Sequence, residues 1–245
     1  MPVTIVHAPA KLTLSLHVTG VRADGFHLID AEMVSLDLVD EIMIDDALTT
    51  SLTIDGPFAQ GVPTDESNLV HRVLGLVGRH ARVKITKNIP NGGGLGGGSS
   101  DAAAVLRWAG FADLSAAARV GADIAFCLVG GRAHVTGIGE IVEPLPHEPR
   151  AVTLIIPPLH VSTPAVYRKW DELGGPVSNP VNHLTEAAIA VEPRLDDWRQ
   201  RIVAAAGSEP VLAGSGATWF LDGHFPLIAA DLPDAVVITT NTRPA

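Results

Sequence analysis

The stretch NIPNGGGLGGGSSDAAAVL, residues 88–106, decides more about the fold of this chain than any other. It places six glycines and two serines between an alternating segment, ARVKITK (residues 81–87), and an alanine-rich segment of helical character. Glycines leave room for backbone N–H groups to converge where side chains would obstruct them. A helix that begins beyond the loop adds its unpaired N–H groups and the positive end of its dipole. The stretch therefore predicts an anion cradle of the kind that binds phosphates.

The glycine spacing alone leaves open which phosphate-binding fold is present. Gly92, Gly94 and Gly97 match the dinucleotide pattern G-x-G-x-x-G, but so glycine-rich a stretch matches it almost by necessity. No lysine follows the last glycine as in a Walker loop, and no regular βαβ succession surrounds the stretch. A flexible turn, the simplest alternative, needs one or two glycines rather than six. Phosphate binding is favoured, without the context of a P-loop or a Rossmann site.

Composition limits the partners that the protein can have. The 245 residues are 47% hydrophobic and 18% charged, which is ordinary for a globular enzyme of one large domain or two smaller ones. A net charge of -10 disfavours nucleic acid, and a single cysteine excludes an intrachain disulfide framework and a cysteine metal cluster. The sequence shows no signal-peptide pattern and no uninterrupted apolar run of membrane length. We expect a cytoplasmic protein without nucleic-acid or membrane partners, whose oligomeric state stays open.

Hydrophobic patterning predicts an α+β fold. Short alternating runs such as VTIVHA (residues 3–8) and LTLSLHV (residues 12–18) predict mainly antiparallel sheet in the first part of the chain. Helical spacing becomes frequent later, and the pattern turns to mixed helices and strands. We expect Ser99 or Ser100 to cap the alanine-rich helix, which would begin near Asp101.

A proline- and charge-rich stretch predicts the division of the chain into two lobes. PLPHEPR, residues 144–150, separates an N-terminal lobe (1–147) from a smaller C-terminal lobe (148–245). In the second lobe, a proline in the first helical turn predicts a helix from Thr163, and a longer helix is expected after Thr185.

Four segments carry a resemblance to a known family, the GHMP kinases. PNGGGLGGGSSDAA resembles their phosphate-binding motif, and three more segments follow the family's order: APAKLTLSLHVTGVRADGFH (8–27), GADIAFCLVGGRAHVTGIGE (121–140) and VLAGSGATWF (211–220). The last is similar to a motif that packs beside the phosphate loop. Two shorter segments, ESNLV and STPAVY, also fall where the family contacts nucleotide and substrate. Together they resemble the branch of the family that phosphorylates a cytidine diphosphate alcohol.

The resemblance implies a two-lobed GHMP kinase fold with the active site between the lobes. It implies an ATP-dependent kinase of non-mevalonate isoprenoid synthesis, with Asp123 as catalytic base and Lys11 as its cationic partner. Taken singly, the aspartate could simply cap or turn the chain, and the lysine could be a solvated surface residue. Around ATP the resemblance places Asn68, Lys87, Gly94, Leu95, Gly96, Gly97, Gly98, Ser99 and Ser100. It also makes Ser100 a ligand of the magnesium ion (Mg2+) that accompanies ATP.

The substrate residues implied by the resemblance lie in three segments. Phe26 and His27 in the turn ADGFH would stack on the cytosine and hydrogen-bond its edge, and Tyr167 would cover its other face. Core packing is the competing explanation for both aromatic residues. Thr163 is similar to a substrate contact, but a helix cap explains it equally well. Thr13 stands where the family usually has asparagine, so a contact to the substrate could be weaker.

Other functions remain open from sequence alone. A second GHMP-type kinase, acting on homoserine, mevalonate or a sugar, would share the cradle but have no base to stack on the ADGFH turn. A nucleotide-binding module without catalysis would keep the cradle and use it for regulation. Lys11 and Asp123 together argue against such a module, because it would not need a catalytic pair. A dinucleotide oxidoreductase would need an acidic ribose-binding residue after a parallel second strand, and the pattern offers none.

Overall fold

Long antiparallel strands make up the first part of the chain, as its alternating pattern predicts. The computed structural model describes residues 3–245. The strands are β1 Thr4–Val21, β2 His27–Asp46, β3 Ser51–Asp55, β4 Ala81–Thr86, β5 Arg132–Gly137, β6 Ile141–Leu145, β7 Ala151–Ile156, β8 Val211–Leu212, β9 Trp219–Asp222 and β10 Val236–Arg243. The α-helices are α1 Leu69–Leu76, α2 Gly97–Trp108, α3 Leu114–Val120, α4 Ala122–Val129, α5 Thr163–Glu172, α6 Thr185–Val191 and α7 Arg194–Ala206, and Pro226–Ala230 forms a 3-10 helix. This confirms the α+β class.

One path of strands runs through both predicted lobes. Its order is β3-β4-β2-β10-β7-β9-β8, and β1 and β5 also pair with β2. Strand β10 pairs antiparallel with β7 and then reaches β2, where Thr242 lies opposite Leu36. Strand β10 thus joins the sheet formed by the N-terminal strands. The predicted boundary at residue 147 falls between β6 and β7, and the division into two lobes stays a prediction.

A bulge in β1 sets the position of Lys11. The two runs predicted as separate strands form one strand, with a shift of register between Pro9 and Lys11. Such a bulge bends a strand and redirects its side chains. The backbone N–H of Lys11 donates to the carbonyl oxygen of Leu95 at 2.9 Å, which ties β1 to the glycine-rich loop.

The alanine-rich helix begins earlier than its serines suggest. Helix α2 starts at Gly97, and its N-cap is Gly96 in the left-handed conformation, with no side-chain cap. The prediction of a start near Asp101 with a serine cap was therefore wrong. A glycine at φ 68° turns the chain into the helix without help from a side chain, so both serines lie in the first turn. Every residue from Ser100 to Leu106 is buried, because small alanines let α2 pack closely on α1, α4 and β1.

Proline and glycine decide the remaining helix boundaries. Helix α5 begins at Thr163 as predicted. The single longer helix expected after Thr185 is instead two helices, α6 and α7, which meet at Pro193. Proline lacks the N–H needed within a helix and clashes with the preceding turn, so one helix cannot continue through it. Helix α4, which follows Gly121 directly, was not predicted.

Candidate active site

The glycine-rich loop has a backbone conformation that strongly favours glycine at three positions, Gly92, Gly94 and Gly96. Gly94 has φ +77° and Gly96 has φ +68°, a region that residues with a Cβ rarely adopt. A Cβ on Gly94 would also lie 2.8 Å from the carbonyl oxygen of Gly216. The loop and the start of α2 line a cavity of about 270 Å³. Backbone N–H groups at the start of a helix make such a cavity suitable for phosphate.

A turn from the C-terminal part of the chain holds this loop in place. The hydroxyl of Thr218 donates to the carbonyl oxygen of Gly93 at 2.5 Å. The turn at Gly214 and Gly216 lies between β8 and β9, next to the loop. The expectation that VLAGSGATWF packs beside the glycine loop is therefore confirmed.

Lys11 and Asp123 come together although 112 positions separate them in the sequence. The Nζ atom of Lys11 lies 3.3 Å from Oδ2 of Asp123 and donates to Oγ1 of Thr13, also at 3.3 Å. The lysine is buried, whereas the aspartate side chain is 35% exposed in the first turn of α4. Lys11 is therefore not a solvated surface residue, and Asp123 has a partner beyond its own turn.

Two cavities meet at Asp123. The cavity at the glycine-rich loop shares Gly94, Ser99 and Asp123 with a larger cleft of about 700 Å³. The cleft extends from Lys11 toward the turn around Phe26 and toward α5. A group held on the glycine loop and a molecule lying in the cleft would therefore approach each other beside the carboxylate.

Aromatic side chains stand at the far end of the cleft. Phe26 is 55% exposed, with the Arg22 guanidinium 5.5 Å from its ring centre, so core packing does not explain it. The His27 ring lies 4.7 Å from the Tyr167 ring, and its Nε2 lies 2.8 Å from Oδ1 of Asp171. Tyr167 also packs against the core, and burial, with a smaller effect of Asp123, raises its pKa. Packing and a cleft-lining position thus both apply to the tyrosine.

Thr163 joins the cleft to the turn beside the loop. Its hydroxyl lies 2.8 Å from the hydroxyl of Ser215, and both residues line the cleft. Ser162, rather than Thr163, occupies the N-cap position of α5, so the helix-cap explanation of Thr163 was wrong.

Two residues expected at the nucleotide have other partners. The Asn68 side chain accepts from the N–H of Val70 at 2.8 Å and donates to the carbonyl of Pro63 at 2.7 Å, and Asn68 lines neither cavity. The ammonium group of Lys87 lies beneath the loop between the carboxylates of Asp40 and Asp101. Both remain predictions as ATP contacts.

The buried group of Asp40, Lys87 and Asp101 supports the loop from below. Asp40 accepts from the N–H groups of Asn88 at 2.5 Å and Ile89 at 2.8 Å. Burial lowers the pKa of Lys87, but the two carboxylates outweigh it, so this pKa lies above its usual value. Burial raises the pKa of Asp101 to about 7; Asp40 adds to the rise and Lys87 opposes it. Neither aspartate was predicted as a site residue, because nothing in the neighbouring sequence marks it as a partner of Lys87.

The Ser100 hydroxyl is used within the protein. The residue is fully buried, and its Oγ donates to the carbonyl oxygen of Pro9 at 2.6 Å. Residues 3–245 contain no group of three or more His, Cys, Asp or Glu side chains placed to hold a metal ion. Among the helices of that same range, none is long and apolar enough to cross a membrane.

Comparison with known proteins identifies the class. The family model described as "GHMP kinases N terminal domain" matches residues 68–131. A homoserine kinase structure from Cytophaga hutchinsonii has a TM-score of 0.58 and 17% identity, covering 97% of this chain and 95% of that one, which shows a common fold. The fold and the family model both indicate the GHMP kinase class.

Nearer relatives narrow the family. A protein of Paracoccus denitrificans named 4-diphosphocytidyl-2-C-methyl-D-erythritol kinase is 40% identical over 236 residues, which cover 87% of this chain and 84% of that one. One of the same name from Ruegeria pomeroyi is 38% identical, covering 89% and 88%. A solved structure of 4-(cytidine 5'-diphospho)-2C-methyl-D-erythritol kinase has a TM-score of 0.78 and 29% identity, covering 99% and 100%. The chain belongs to the 4-diphosphocytidyl-2-C-methyl-D-erythritol kinase family.

Proposed function

We propose that the chain transfers the γ-phosphoryl group of ATP to the 2-hydroxyl of 4-diphosphocytidyl-2-C-methyl-D-erythritol. The observation that carries this proposal is the position of Asp123, paired with Lys11 where the loop cavity opens into the cleft. A phosphoryl donor and an alcohol acceptor need such a meeting point beside a carboxylate. The names of the relatives supply the acceptor.

The loop would hold the phosphates through its backbone. Gly94 and Gly96, both in the left-handed conformation, carry no side chain that could fill the cavity. The N-terminus of α2 would face the phosphates with its free N–H groups and the positive end of the helix dipole. Lys87 also lines this cavity, and although its charge is balanced by Asp40 and Asp101, it stays a proposed contact of ATP. Electrostatic holding of this kind supplies most of the catalysis in phosphoryl transfer.

Asp123 and Lys11 would act on the attacking hydroxyl. The hydroxyl proton passes to the Asp123 carboxylate, the oxygen forms a bond to the γ-phosphorus, and the bond from that phosphorus to the bridging oxygen breaks to release ADP. Lys11, 3.3 Å from the carboxylate, fixes its position and adds positive charge near the transferred group. Thr13 accepts a hydrogen bond from Lys11 at 3.3 Å and so helps to orient the ammonium group.

The cleft would hold the cytidine end of the acceptor. Phe26 offers an exposed ring for stacking, and His27 and Tyr167 form the wall nearby. The hydroxyl of Thr163, which lines the cleft between these aromatics and the loop, would contact the middle of the acceptor.

A magnesium ion would arrive with ATP and neutralise charge on its phosphates. Mg2+ usually keeps several waters and takes only one or two protein ligands beside the phosphates. Ser100 does not fit the role of ligand in this structure, because its side chain is fully buried, donates to the carbonyl oxygen of Pro9 and lines neither cavity, so that role rests on the resemblance alone.

A phosphotransfer assay tests the function. Purified protein is given ATP, Mg2+ and, in turn, the cytidine diphosphate alcohol, homoserine, mevalonate and a sugar, and ADP release is recorded. We expect turnover of the first acceptor alone. Asp123→Asn should lower turnover by about 10²–10⁴-fold with ATP binding retained, because the base is lost and the cradle is not. The control is Asp197→Asn, an exposed aspartate that also lies in the first turn of a helix. Normal turnover by Asp123→Asn would remove the base assignment, and turnover of homoserine alone would refute the proposed acceptor.

A further inference from the structure

The imidazole of His27 is fixed on three sides at the far end of the cleft. Its Nε2 lies 2.8 Å from Oδ1 of Asp171, and the Tyr167 ring lies 4.7 Å away at 34°. Trp170 meets the same imidazole edge-on at 5.8 Å. The His27 side chain is only 10% exposed, yet the residue lines the cleft. Its other nitrogen, Nδ1, has no hydrogen-bond partner within residues 3–245.

The carboxylate partner decides which nitrogen of His27 carries the proton. An ionised carboxylate can only accept hydrogen bonds, so Nε2 of the histidine must be the donor. A neutral imidazole has one N–H group, and when Nε2 holds that hydrogen Nδ1 becomes an acceptor. In the neutral ring, the hydrogen bond to Asp171 therefore leaves Nδ1 as an acceptor, and this nitrogen has no partner among residues 3–245.

We propose that Asp171 is a positioning residue that makes the cleft select cytosine over uracil by holding Nδ1 of His27 as an acceptor. This inference rests on the proposed function, in which the cleft holds the cytidine end of the acceptor. Cytosine carries an amino group on C4, which donates, whereas uracil carries an oxygen there, which accepts. The amino group of cytosine satisfies Nδ1. The oxygen of uracil would face another acceptor, and both groups would be left unpaired, which is how binding sites reject a near-identical ligand strongly.

The decisive variant is Asp171→Asn, which keeps size and shape. An asparagine amide can accept from Nε2–H, or it can turn over and donate to a bare Nε2. The second arrangement moves the proton to Nδ1, so His27 could then also donate to the oxygen of uracil. The matched control is Glu172→Gln on the next residue of α5, whose carboxylate pairs with Lys169 and does not line the cleft.

The experiment compares kcat/KM for the cytidine substrate and for its uridine counterpart. We expect the parent and Glu172→Gln to prefer the cytidine substrate strongly. In Asp171→Asn the preference should fall about tenfold, which corresponds to about 1.4 kcal/mol. The change should lie in KM for the two acceptors, with kcat on the cytidine substrate and KM for ATP unchanged, because the reacting groups at Asp123 are not touched. A purely structural role for Asp171 would instead lower kcat/KM for both substrates by the same factor.

A second measurement tests the inference without any turnover. Nitrogen-15 NMR of the ligand-free protein, with His27→Gln used to assign the signals, should show the neutral His27 ring protonated on Nε2 in the parent. A ring protonated on Nδ1 would overturn the inference. So would an unchanged base preference in Asp171→Asn while the parent phosphorylates the cytidine substrate, and the proposed function would then stand. A parent that phosphorylates neither acceptor would contradict the proposed function itself.

Discussion

Replacing Gly96 with alanine should disable the catalytic pair while leaving the fold in place. A Cβ at this position would lie 2.6 Å from Cγ, 3.2 Å from Cε and 3.5 Å from Cδ of Lys11. Carbon atoms settle at about 3.5–4.0 Å from one another, so the lysine stem must move by roughly 1 Å. The lysine belongs to a buried strand and reaches Asp123 at 3.3 Å, so this shift displaces its ammonium group. A misplacement of about 1 Å can cost about 100-fold in rate, and we expect kcat to fall by about that factor.

Gly110→Ala provides the matched control for this variant. Gly110 lies at the other end of α2 with φ +73°, close to the +68° of Gly96, but a Cβ there would meet nothing within 4 Å. Both variants therefore carry the same cost of a left-handed alanine, about 1–2 kcal/mol, and only one carries the collision. The melting temperature should fall by roughly 2–8 °C in Gly110→Ala and by at least as much in Gly96→Ala, where the collision adds to the cost. ADP release at saturating ATP and acceptor should fall in Gly96→Ala alone. Equal turnover in the two folded variants would refute the role given to the space between Gly96 and Lys11.

Further predictions concern substrate binding and the buried group under the loop. Phe26→Ala should weaken acceptor binding by about tenfold or more, since a stacked base is worth about 1–3 kcal/mol. The melting temperature should not change, because Phe26 is 55% exposed. Titration calorimetry measures the affinity, and a thermal melt measures the stability. Lys87→Met should cost about 3–5 kcal/mol by leaving two carboxylates buried. Lys84→Met, at a half-exposed lysine of β4, the strand that ends directly before Lys87, should cost at most about 1 kcal/mol, and urea unfolding compares the two variants. The pKa of Asp101 is about 7 in the folded state, so the folded state binds a proton that the unfolded chain releases near pH 4, and the melting temperature should fall as the pH rises from about 4 to 7. In Asp101→Asn the melting temperature should no longer fall over this range. The same pH profile in the parent and in Asp101→Asn would contradict the prediction.

Much of the fold follows from local sequence signals. Alternating runs gave the antiparallel strands, and proline after Thr163 marked the start of α5 because its missing N–H costs nothing there. The start of α2 was misplaced for a local reason too. Serine is a strong N-cap, but Gly96 in the left-handed conformation turns the chain before the serines are reached.

The site residues were found through motifs, whereas their partners were not. Lys11 and Asp123 lie in segments that resemble the family, and the structure brings them to 3.3 Å. Asp40 and Asp171 carry no local signal, because each acquires its role from a residue more than 40 positions away, Lys87 or His27. Register in the sheet and packing of α5 create those contacts, and neither can be read from periodicity.

Phosphorus-31 NMR of the reaction product examines the proposed reaction most closely. Purified protein is incubated with ATP, Mg2+ and 4-diphosphocytidyl-2-C-methyl-D-erythritol, and the spectrum is followed with time. The proposed function predicts one new phosphate monoester signal that grows in step with ADP, while the diphosphate signals of the acceptor persist. Proton–phosphorus correlations should find no proton on the carbon that bears the new phosphate, because the 2-hydroxyl is tertiary. ADP formed together with inorganic phosphate alone, or a phosphate on a primary or secondary hydroxyl, would contradict the proposed transfer.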